Sequence, residues 1–205
     1  MSVLFKTVVS AGEVITCLPT LSDGWLFVDA GVYVGAHDQP NAYYKSSLTD
    51  YVYAGQGVTI AIPSYYIGRS VLFFDTTPLA GKNIVSGLAR CYCSEKANAD
   101  DQLLVLVDGS GCHDPLVNGD FGELLLRTSP HGLVSISSIS AGSYFDIPLT
   151  DLGLAAINKG GVTKYGLRTS EDITTTVPTQ VDEIVRIPSA ESGSPHYPLL
   201  LVTVS

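Results

Sequence analysis

Two pairs of tyrosines are the residues of this chain best suited to bind a ligand. Tyr43 and Tyr44 form one pair, Tyr65 and Tyr66 form the other, and each pair follows a proline by a few residues. Tyrosine combines a flat apolar face with a polar hydroxyl group, which suits the C–H faces and hydroxyl groups of sugars. Because loops often carry binding sites, these four residues predict a glycan-binding surface. The alternative interpretation is that half of the rings pack in the core.

Aspartates in predicted loops are a second candidate site. Asp100, Asp101 and Asp108 lie on either side of one strand-like run. Calcium takes hard oxygen ligands, and several loop carboxylates could converge on one ion. The spacing does not match an EF-hand loop, so the alternative is that these acids only face water. Apart from possible calcium, the sequence predicts no cofactor.

The sequence lacks the common motifs of catalytic sites. It has no Gly-x-Ser-x-Gly elbow, phosphate-binding P-loop or His-Glu-x-x-His segment. Ser110, His113 and Asp114 are close in sequence, but a glycine-rich run of this kind is typical of a loop rather than a triad. We therefore predict that the protein is not an enzyme and has no catalytic residues.

Composition and charge exclude several classes of partner. The formal net charge of -9 argues against nucleic-acid binding, which needs a basic face. No apolar run reaches the length of about 18 to 20 residues that spans a bilayer, and Met1–Gly12 does not resemble a signal peptide. The four cysteines are too few and too unevenly spaced for a disulfide framework. These features predict no membrane contact and folding in a reducing cytoplasm.

Short strands separated by turns must position these residues. Runs rich in β-branched and aromatic residues recur with turn signals about every 8 to 12 positions. The clearest predicted strands are Arg69–Asp75, Ile84–Cys93, Leu103–Val107, Glu183–Ile187 and Leu199–Val204. Tyr51 and Tyr53, in a further predicted strand, are additional sugar-binding candidates. The pattern predicts an all-β fold, an antiparallel β-sandwich of the jelly-roll type.

Three local predictions concern the connections. Trp25–Val34 is predicted as one strand, and Asn118–Gly119 as a hairpin turn before a strand over Glu123–Arg127. One short helix is predicted near residues 150–159. Thr150 can cap its first turn, and the Gly160–Gly161 pair can end it.

The first 48 residues are predicted as a separate β-hairpin or anchor segment, and residues 49–205 as the β-sandwich domain. The N-terminal segment carries many large apolar side chains, including Phe5, Trp25 and Phe27. A segment this short cannot bury them alone. Either they join the core of the sandwich, or they form an assembly interface.

Two ordered sets of short motifs resemble the DNRLRE-type domain, a β-sandwich similar to carbohydrate-binding modules. The first set comprises Arg69–Asp75, Pro78–Gly81, Ile84 and Ala89–Tyr92, and the second comprises Phe145–Leu152, Gly160–Gly161, Tyr165–Ser170, Ile187–Glu191 and Pro195–Thr203. The resemblance covers residues 49–205, lacks the family's common tryptophan, and leaves the first 45 or so residues without a counterpart. It implies a sandwich fold and a place on secreted polysaccharide-degrading enzymes or surface proteins.

The sequence shows no export signal and has an added N-terminal segment. Among proteins with a β-sandwich, these two features favour a phage virion protein over a secreted or surface protein. We therefore expect a non-catalytic structural or display protein, a capsid decoration or a tail or fibre component, which docks through its N-terminal segment. Its partners would be other virion or surface-lattice proteins, further copies of itself and possibly a glycan, and it would assemble in the host cytoplasm. The alternative is a freestanding carbohydrate-binding module that is extracellular by a non-classical route.

Overall fold

The structure is a computed structural model that describes residues 12–47, 50–59, 64–99 and 101–205. The first eleven residues of the predicted N-terminal segment, with the candidate residue Phe5, and the candidate residue Asp100 lie outside the described residues. The predicted all-β, sandwich-like architecture is confirmed, because antiparallel sheets dominate the molecule. No helix among the described residues has the length and apolar character needed to cross a membrane.

The described strands fall into two sheets, and four short helices connect them. The strands are β1 (Glu13–Cys17), β2 (Gly24–Ala30), β3 (Tyr44–Ser46), β4 (Tyr51–Thr59), β5 (Ser64–Asp75), β6 (Ile84–Cys93), β7 (Glu95–Ala97), β8 (Leu103–Asp108), β9 (Gly132–Ser135), β10 (Ser143–Pro148), β11 (Val162–Thr169), β12 (Glu183–Pro188) and β13 (Leu199–Val204). The helices are α1 (Tyr33–His37), α2 (Asp120–Leu125), α3 (Asp151–Ala155) and α4 (Ser170–Thr174). All strand pairs between these elements are antiparallel.

The smaller sheet has the strand order β1-β13-β6-β10. The larger sheet is built around the long strand β5, which pairs with three others. β4 pairs along its first half, from Ser64 to Gly68, and β11 along its second half, from Ser70 to Asp75. β2 pairs from Tyr65 to Val71. The larger sheet therefore branches at β5.

The two faces of β5 contribute to two separate hydrophobic clusters. Leu72 and Phe74 belong to a cluster that includes residues of the smaller sheet, whereas Val71 and Phe73 belong to a cluster that includes residues of α1 and α2. Alternation along one strand sends successive side chains to opposite faces. The larger sheet is thus covered by a sheet on one face and by short helices on the other.

The described part of the predicted N-terminal segment 1–48 contributes strands to both sheets. β1 pairs with β13 from Glu13 to Cys17, and β2 pairs with β5 over its whole length. Cys17, Leu26 and Val28 are fully buried in the two clusters. These residues take the first of the two predicted roles and join the core.

Two local predictions are wrong, because tertiary contacts favour helices. The predicted strand Trp25–Val34 ends at Ala30, and α1 begins at Tyr33. Its single turn places Tyr33 and His37 on one buried face. There the Tyr33 hydroxyl donates to Gln56 Oε1 at 2.9 Å, and His37 Nε2 lies 2.7 Å from the carbonyl oxygen of Asp172.

The predicted strand Glu123–Arg127 overlaps helix α2 instead. Asp120 accepts hydrogen bonds from the backbone N–H groups of Val117, at 2.7 Å, and His113, at 3.1 Å. With these bonds in place, the Asn118–Gly119 turn leads into the first turn of α2 instead of a β-hairpin. The predicted helix near residues 150–159 is present as α3, and Thr150 caps it by accepting from the Gly153 N–H at 3.2 Å.

A buried ion cluster fastens α4 to the larger sheet. Asp172 accepts from Arg69 Nη2 at 2.7 Å and from Arg168 Nε at 2.6 Å, and all three residues are at most 1% exposed. The Arg69 guanidinium also lies 4.0 Å from the ring centre of Phe121 in α2. The cluster therefore joins α4 to strands β5 and β11 through Asp172, and it joins β5 to α2 through Arg69.

Candidate functional site

The surface of the larger sheet carries a cleft lined by aromatic side chains, which we call the aromatic cleft. It encloses about 430 Å³ between strands β2, β3, β4, β5 and β12. Its lining residues are Trp25, Phe27, Tyr44, Tyr51, Tyr53, Tyr66, Asp182, Ile184 and Arg186. A mostly apolar cleft with a few polar groups is the usual form of a ligand site.

Strand alternation explains why Trp25 and Phe27 reach the cleft. Leu26 and Val28 are fully buried in the cluster on one side of β2, so the two aromatic residues on the other side face away from it. The register places Trp25 opposite Ser70 and Phe27 opposite Gly68. Small residues on β5 thereby leave room above the strand for neighbouring rings.

Two glycines allow the rings to lie close to the sheet. A Cβ atom on Gly68 would be 2.0 Å from the ring of Tyr53, and one on Gly57 would be 2.4 Å from the Tyr66 hydroxyl oxygen. Neither distance is possible for a real side chain. The depth of the cleft therefore depends on glycine at both positions.

The rings contact one another and form a continuous lining. Phe27 stacks on Tyr66 with ring centres 5.7 Å apart and planes inclined by 24°. Trp25 lies 5.6 Å from Tyr53, and Phe27 lies 6.0 Å from Tyr44. These separations are typical of favourable aromatic pairs, so the lining is preorganised.

Polar groups border the cleft along β12 and the segment before it. The Tyr66 hydroxyl donates to the carbonyl oxygen of Val181 at 2.7 Å and also contacts the Asp182 carboxylate. Burial, and then the hydrogen bond with Asp182, raise the pKa of Tyr66, so this hydroxyl stays protonated and acts as a donor.

Arg186 supplies the positive charge of the border. Its guanidinium lies 5.1 Å from the ring centre of Tyr51, and its Nη1 pairs with Glu95 Oε2 at 2.5 Å. Its Nε is buried and has no hydrogen-bond partner in the described part of the chain. The side chain as a whole is 37% exposed, so the guanidinium can offer its positive charge to a ligand in the cleft.

The structure brings six of the predicted residues together in the aromatic cleft. The sugar-binding candidates Tyr44, Tyr51, Tyr53 and Tyr66 lie there with Trp25 and Phe27, the two described residues predicted as an assembly interface. The ring of Tyr65 instead packs edge-on against the ring of Tyr33, with ring centres 6.0 Å apart. This contact lies beside the hydrophobic cluster that includes residues of α1 and α2. Tyr43 is 51% exposed and is not among the residues that line the cleft.

Sequence reasoning missed the contribution of β12 to the cleft. Ile184 and Arg186 alternate with Val185 and Ile187, which are fully buried against the smaller sheet. The alternation was visible in the sequence. The pairing of β12 with β4 joins residues far apart in the chain, and no local signal indicated it.

The two described residues of the predicted calcium site, Asp101 and Asp108, do not converge. Asp101 precedes β8 and Asp108 ends it, so they are about 20 Å apart at roughly 3.3 Å per residue. Asp108 is bound to Arg127 Nη1 at 3.1 Å and to the Ser110 N–H at 2.9 Å. Among the described residues, no group of three or more histidine, cysteine or acidic residues could hold a metal ion.

A polar pocket of about 400 Å³ lies near Asp101, lined also by Asn98, Thr179, Gln180 and Glu183. Beneath it, Gln102 Nε2 donates to both Glu171 Oε2 and Glu183 Oε2, each at 3.1 Å. Glu183 Oε1 accepts from the backbone N–H groups of Thr179 and Gln180. Glu171 and Glu183 therefore hold in place the segment that contains Asp182, and Asp182 lies at the border of the aromatic cleft.

Comparison with protein-family models finds no family that matches this chain. No curated protein matches it significantly either. The resemblance to DNRLRE-type domains therefore stays a prediction, and the aromatic cleft is the main structural guide to function.

Proposed function

We propose that this protein is a non-catalytic carbohydrate-binding protein and that the aromatic cleft is its sugar site. The observation that carries the proposal is the continuous lining of tyrosine, tryptophan and phenylalanine rings bordered by Asp182 and Arg186. Rings of this kind cover the C–H face of a sugar, and the charged border bonds its hydroxyl groups.

The composition of the cleft supports binding rather than glycoside hydrolysis. Hydrolysis uses two carboxyl groups on either side of the scissile bond. Asp182 is the one carboxylate among the described residues that line the cleft, and it is already in contact with the Tyr66 hydroxyl. A sugar in the cleft would meet one acid and no partner acid.

The single tryptophan provides a direct test, because Trp25 is the only one in the chain and lines the cleft. A glycan array selects ligands, and titration of the soluble oligosaccharides that bind should change the emission of Trp25. Tyr44→Ala should weaken binding by about tenfold, equivalent to roughly 1.4 kcal/mol. If no glycan binds, or none alters Trp25 emission, the proposal fails.

Tyr43→Ala is a matched control for Tyr44→Ala. The two side chains are neighbours with similar exposure, 51% and 59%, but only Tyr44 lines the cleft. We expect Tyr43→Ala to bind within about twofold of the unchanged protein. Equal losses in the two variants would show that binding does not occur in the cleft.

We propose a second role, display on a virion or similar lattice, from a different observation. Val14, Leu18 and Leu21, in the N-terminal part of the described chain, are more than half exposed. A contiguous patch of exposed apolar side chains is typical of an assembly surface, and these three residues would contribute to such a patch. Light scattering should find oligomers that Leu18→Ser with Leu21→Ser reduces to monomers, whereas a monomer at all concentrations would remove the support for this role.

A further inference from the structure

Five neighbouring strands contribute one residue each to a continuous row beneath the aromatic cleft. The members lie opposite one another in successive antiparallel pairs and are Ile184 in β12, Gly55 in β4, Gly68 in β5, Phe27 in β2 and Tyr44 in β3. Residues directly opposite each other in such pairs point to the same face of a sheet. The row therefore crosses the strands roughly at right angles, on the face that carries the cleft.

Glycines form the middle of the row and keep it free of side chains. Gly55 has a φ of +150°, and a Cβ atom there would be 2.1 Å from the carbonyl oxygen of Glu183. Gly68 has no room for a side chain either, because the ring of Tyr53 lies over it. The centre of the row is thus a floor formed by the backbone and the Tyr53 ring, and the larger side chains of the row lie toward its ends.

The row is long enough for several sugar units. Neighbouring strands are about 4.8 Å apart, so the intervals from Ile184 to Tyr44 amount to roughly 19 Å. Both of these end residues, and Phe27 between them, line the cleft. One sugar unit of an extended chain is about as long as one interval between strands. The cleft therefore matches a chain of about three or four units rather than a single sugar.

The two ends of the row differ in their chemistry. Asp182 and Arg186 lie two residues before and two residues after Ile184, so alternation along β12 places both on the face of the cleft. They are the charged groups among the described residues that line the cleft. At the other end, the rings of Phe27 and Tyr44 have centres 6.0 Å apart, and Tyr44 is 59% exposed. Charged contacts thus gather at the β12 end, and stacking surface at the β3 end.

The charges of the cleft favour an uncharged ligand. Asp182 and Arg186 supply one negative and one positive group. The Arg186 guanidinium is paired with Glu95, and the Asp182 carboxylate contacts the Tyr66 hydroxyl. The net charge of the chain, -9, opposes the approach of a polyanion. Uncharged sugars meet no such opposition, and their hydroxyl groups can still form hydrogen bonds with both charged side chains.

We propose that the aromatic cleft binds an extended, uncharged polysaccharide chain that lies across the strands, through about three or four consecutive sugar units. The unit at the β12 end is hydrogen-bonded by Asp182 and Arg186, and the unit at the β3 end stacks on Tyr44. This assignment rests on the proposed function, because it gives a class of sugar to the same cleft. A β-1,4-linked chain is extended enough to follow the row, whereas α-1,4-linked glucose curls away from it.

The test follows Trp25 emission while the full chain is titrated with β-1,4-linked oligosaccharides of glucose, xylose and mannose, each from one to six units long. For at least one sugar, affinity should rise about tenfold or more from the disaccharide to the tetrasaccharide, and less than about twofold from there to the hexasaccharide. Equal affinities for the disaccharide and the tetrasaccharide, or a further tenfold rise to the hexasaccharide, overturn the proposal but leave the sugar site in place. Binding of other glycans alone has the same result, whereas binding of no glycan removes the proposed function as well.

Substitutions at the two ends of the row test how the chain lies. Tyr44→Ala should weaken the tetrasaccharide about tenfold and the disaccharide less than about twofold, because the shorter ligand stays beside the charged groups. Asp182→Asn should weaken both ligands about equally. Tyr43→Ala, outside the cleft, is the control and should affect neither, and urea unfolding checks that each variant is folded. Equal effects of Tyr44→Ala on both ligands, or loss of the tetrasaccharide alone in Asp182→Asn, would show that the chain does not cross the strands in this way.

Discussion

The ring of Tyr53 lies directly over Gly68, where a Cβ atom would be only 2.0 Å from the ring carbon Cε2. Gly68 therefore forms part of the floor of the aromatic cleft, although it contributes no side chain. Gly55 is the residue of β4 that pairs with Gly68, and Tyr53 lies two residues earlier in β4, so its ring reaches across to Gly68. The cleft depends on this close approach as much as on the aromatic residues themselves.

Gly68→Ala should destabilise the protein and disturb the cleft. The added methyl group must displace Tyr53, which is 8% exposed and packs on Trp25. Overpacking of this kind lowers the free energy of unfolding by about 1 to 3 kcal/mol. Urea unfolding measures the loss, and a shift in Trp25 emission reports the displaced ring. Gly31→Ala, with no neighbour within 4 Å of the new Cβ atom, is the control and should be nearly neutral.

Asp172→Asn should be among the most destabilising single changes in the chain. It leaves Arg69 and Arg168 buried without their carboxylate, which costs about 3 to 5 kcal/mol in comparable clusters. Although burial raises the pKa of Asp172, the charges and hydrogen bonds of the two arginines outweigh it and hold that pKa well below its usual range. Urea unfolding at neutral pH measures the effect.

Asp146→Asn is the comparison for Asp172→Asn. Asp146 accepts two hydrogen bonds from Arg90, each at 2.8 Å, but both side chains are more than a third exposed. An exposed pair contributes at most about 1 kcal/mol. If the two substitutions had equal effects, burial of the Asp172 cluster would not be the source of its contribution.

Stability should fall as the pH rises from about 4.5 to about 7 because of Glu171. Burial, followed by the hydrogen bond and charge of Glu183, raises the pKa of Glu171 from 4.5 to about 7. In that window the folded chain keeps a proton that the unfolded chain has lost, so raising the pH favours unfolding. Asp101 adds further negative charge near the pair.

Glu171→Gln should make stability less dependent on pH in that window. Chemical unfolding in chelator at about pH 5 and about pH 8 gives the difference for each protein. Glu13→Gln, an exposed change in β1, should leave the difference as it is in the unchanged protein. A Glu171→Gln variant with the original pH dependence would contradict the assignment of this dependence to the raised pKa of Glu171.

The four cysteines should not react with thiol reagents in the folded protein. Cys17, Cys91, Cys93 and Cys112 are all free and buried. Burial raises the pKa of Cys17 to about 11 and that of Cys112 to about 12, and it raises the other two also. Because the thiolate is the reactive form, a colorimetric thiol titration should detect four groups only after denaturation. Rapid reaction of a native thiol would indicate local opening.

Strands were predictable where the pattern of apolar residues within one segment of the sequence matched the pattern of buried side chains in the structure. Ile84–Cys93 and Leu199–Val204 are strands with the predicted bounds, and the cap at Thr150 forms as predicted. Such features depend on neighbours in sequence. The helix at Tyr33 depends instead on a distant partner, Gln56, which no local pattern reveals. The helix at Asp120 combines local bonds to His113 and Val117 with a distant partner, Arg69, which donates to the Phe121 carbonyl oxygen.

The aromatic cleft was predictable in its residue types but not in its assembly. Paired tyrosines suggested sugar binding, and only one ring of each pair, Tyr44 and Tyr66, lines the cleft. Trp25 and Phe27 suggested an interface because they are large and apolar. Their common location depends on β2 and β4 both pairing with β5, which is a property of the topology rather than of any segment.

The pairing of β1 with β13 affects how the molecule is made on the ribosome. Glu13 lies opposite Val204, so an edge of the smaller sheet joins residues 191 positions apart. β1 leaves the exit tunnel long before β13, its strand partner among the described residues. β1 therefore stays unpaired until β13 emerges, and chaperones that bind exposed strands have a long interval in which to act.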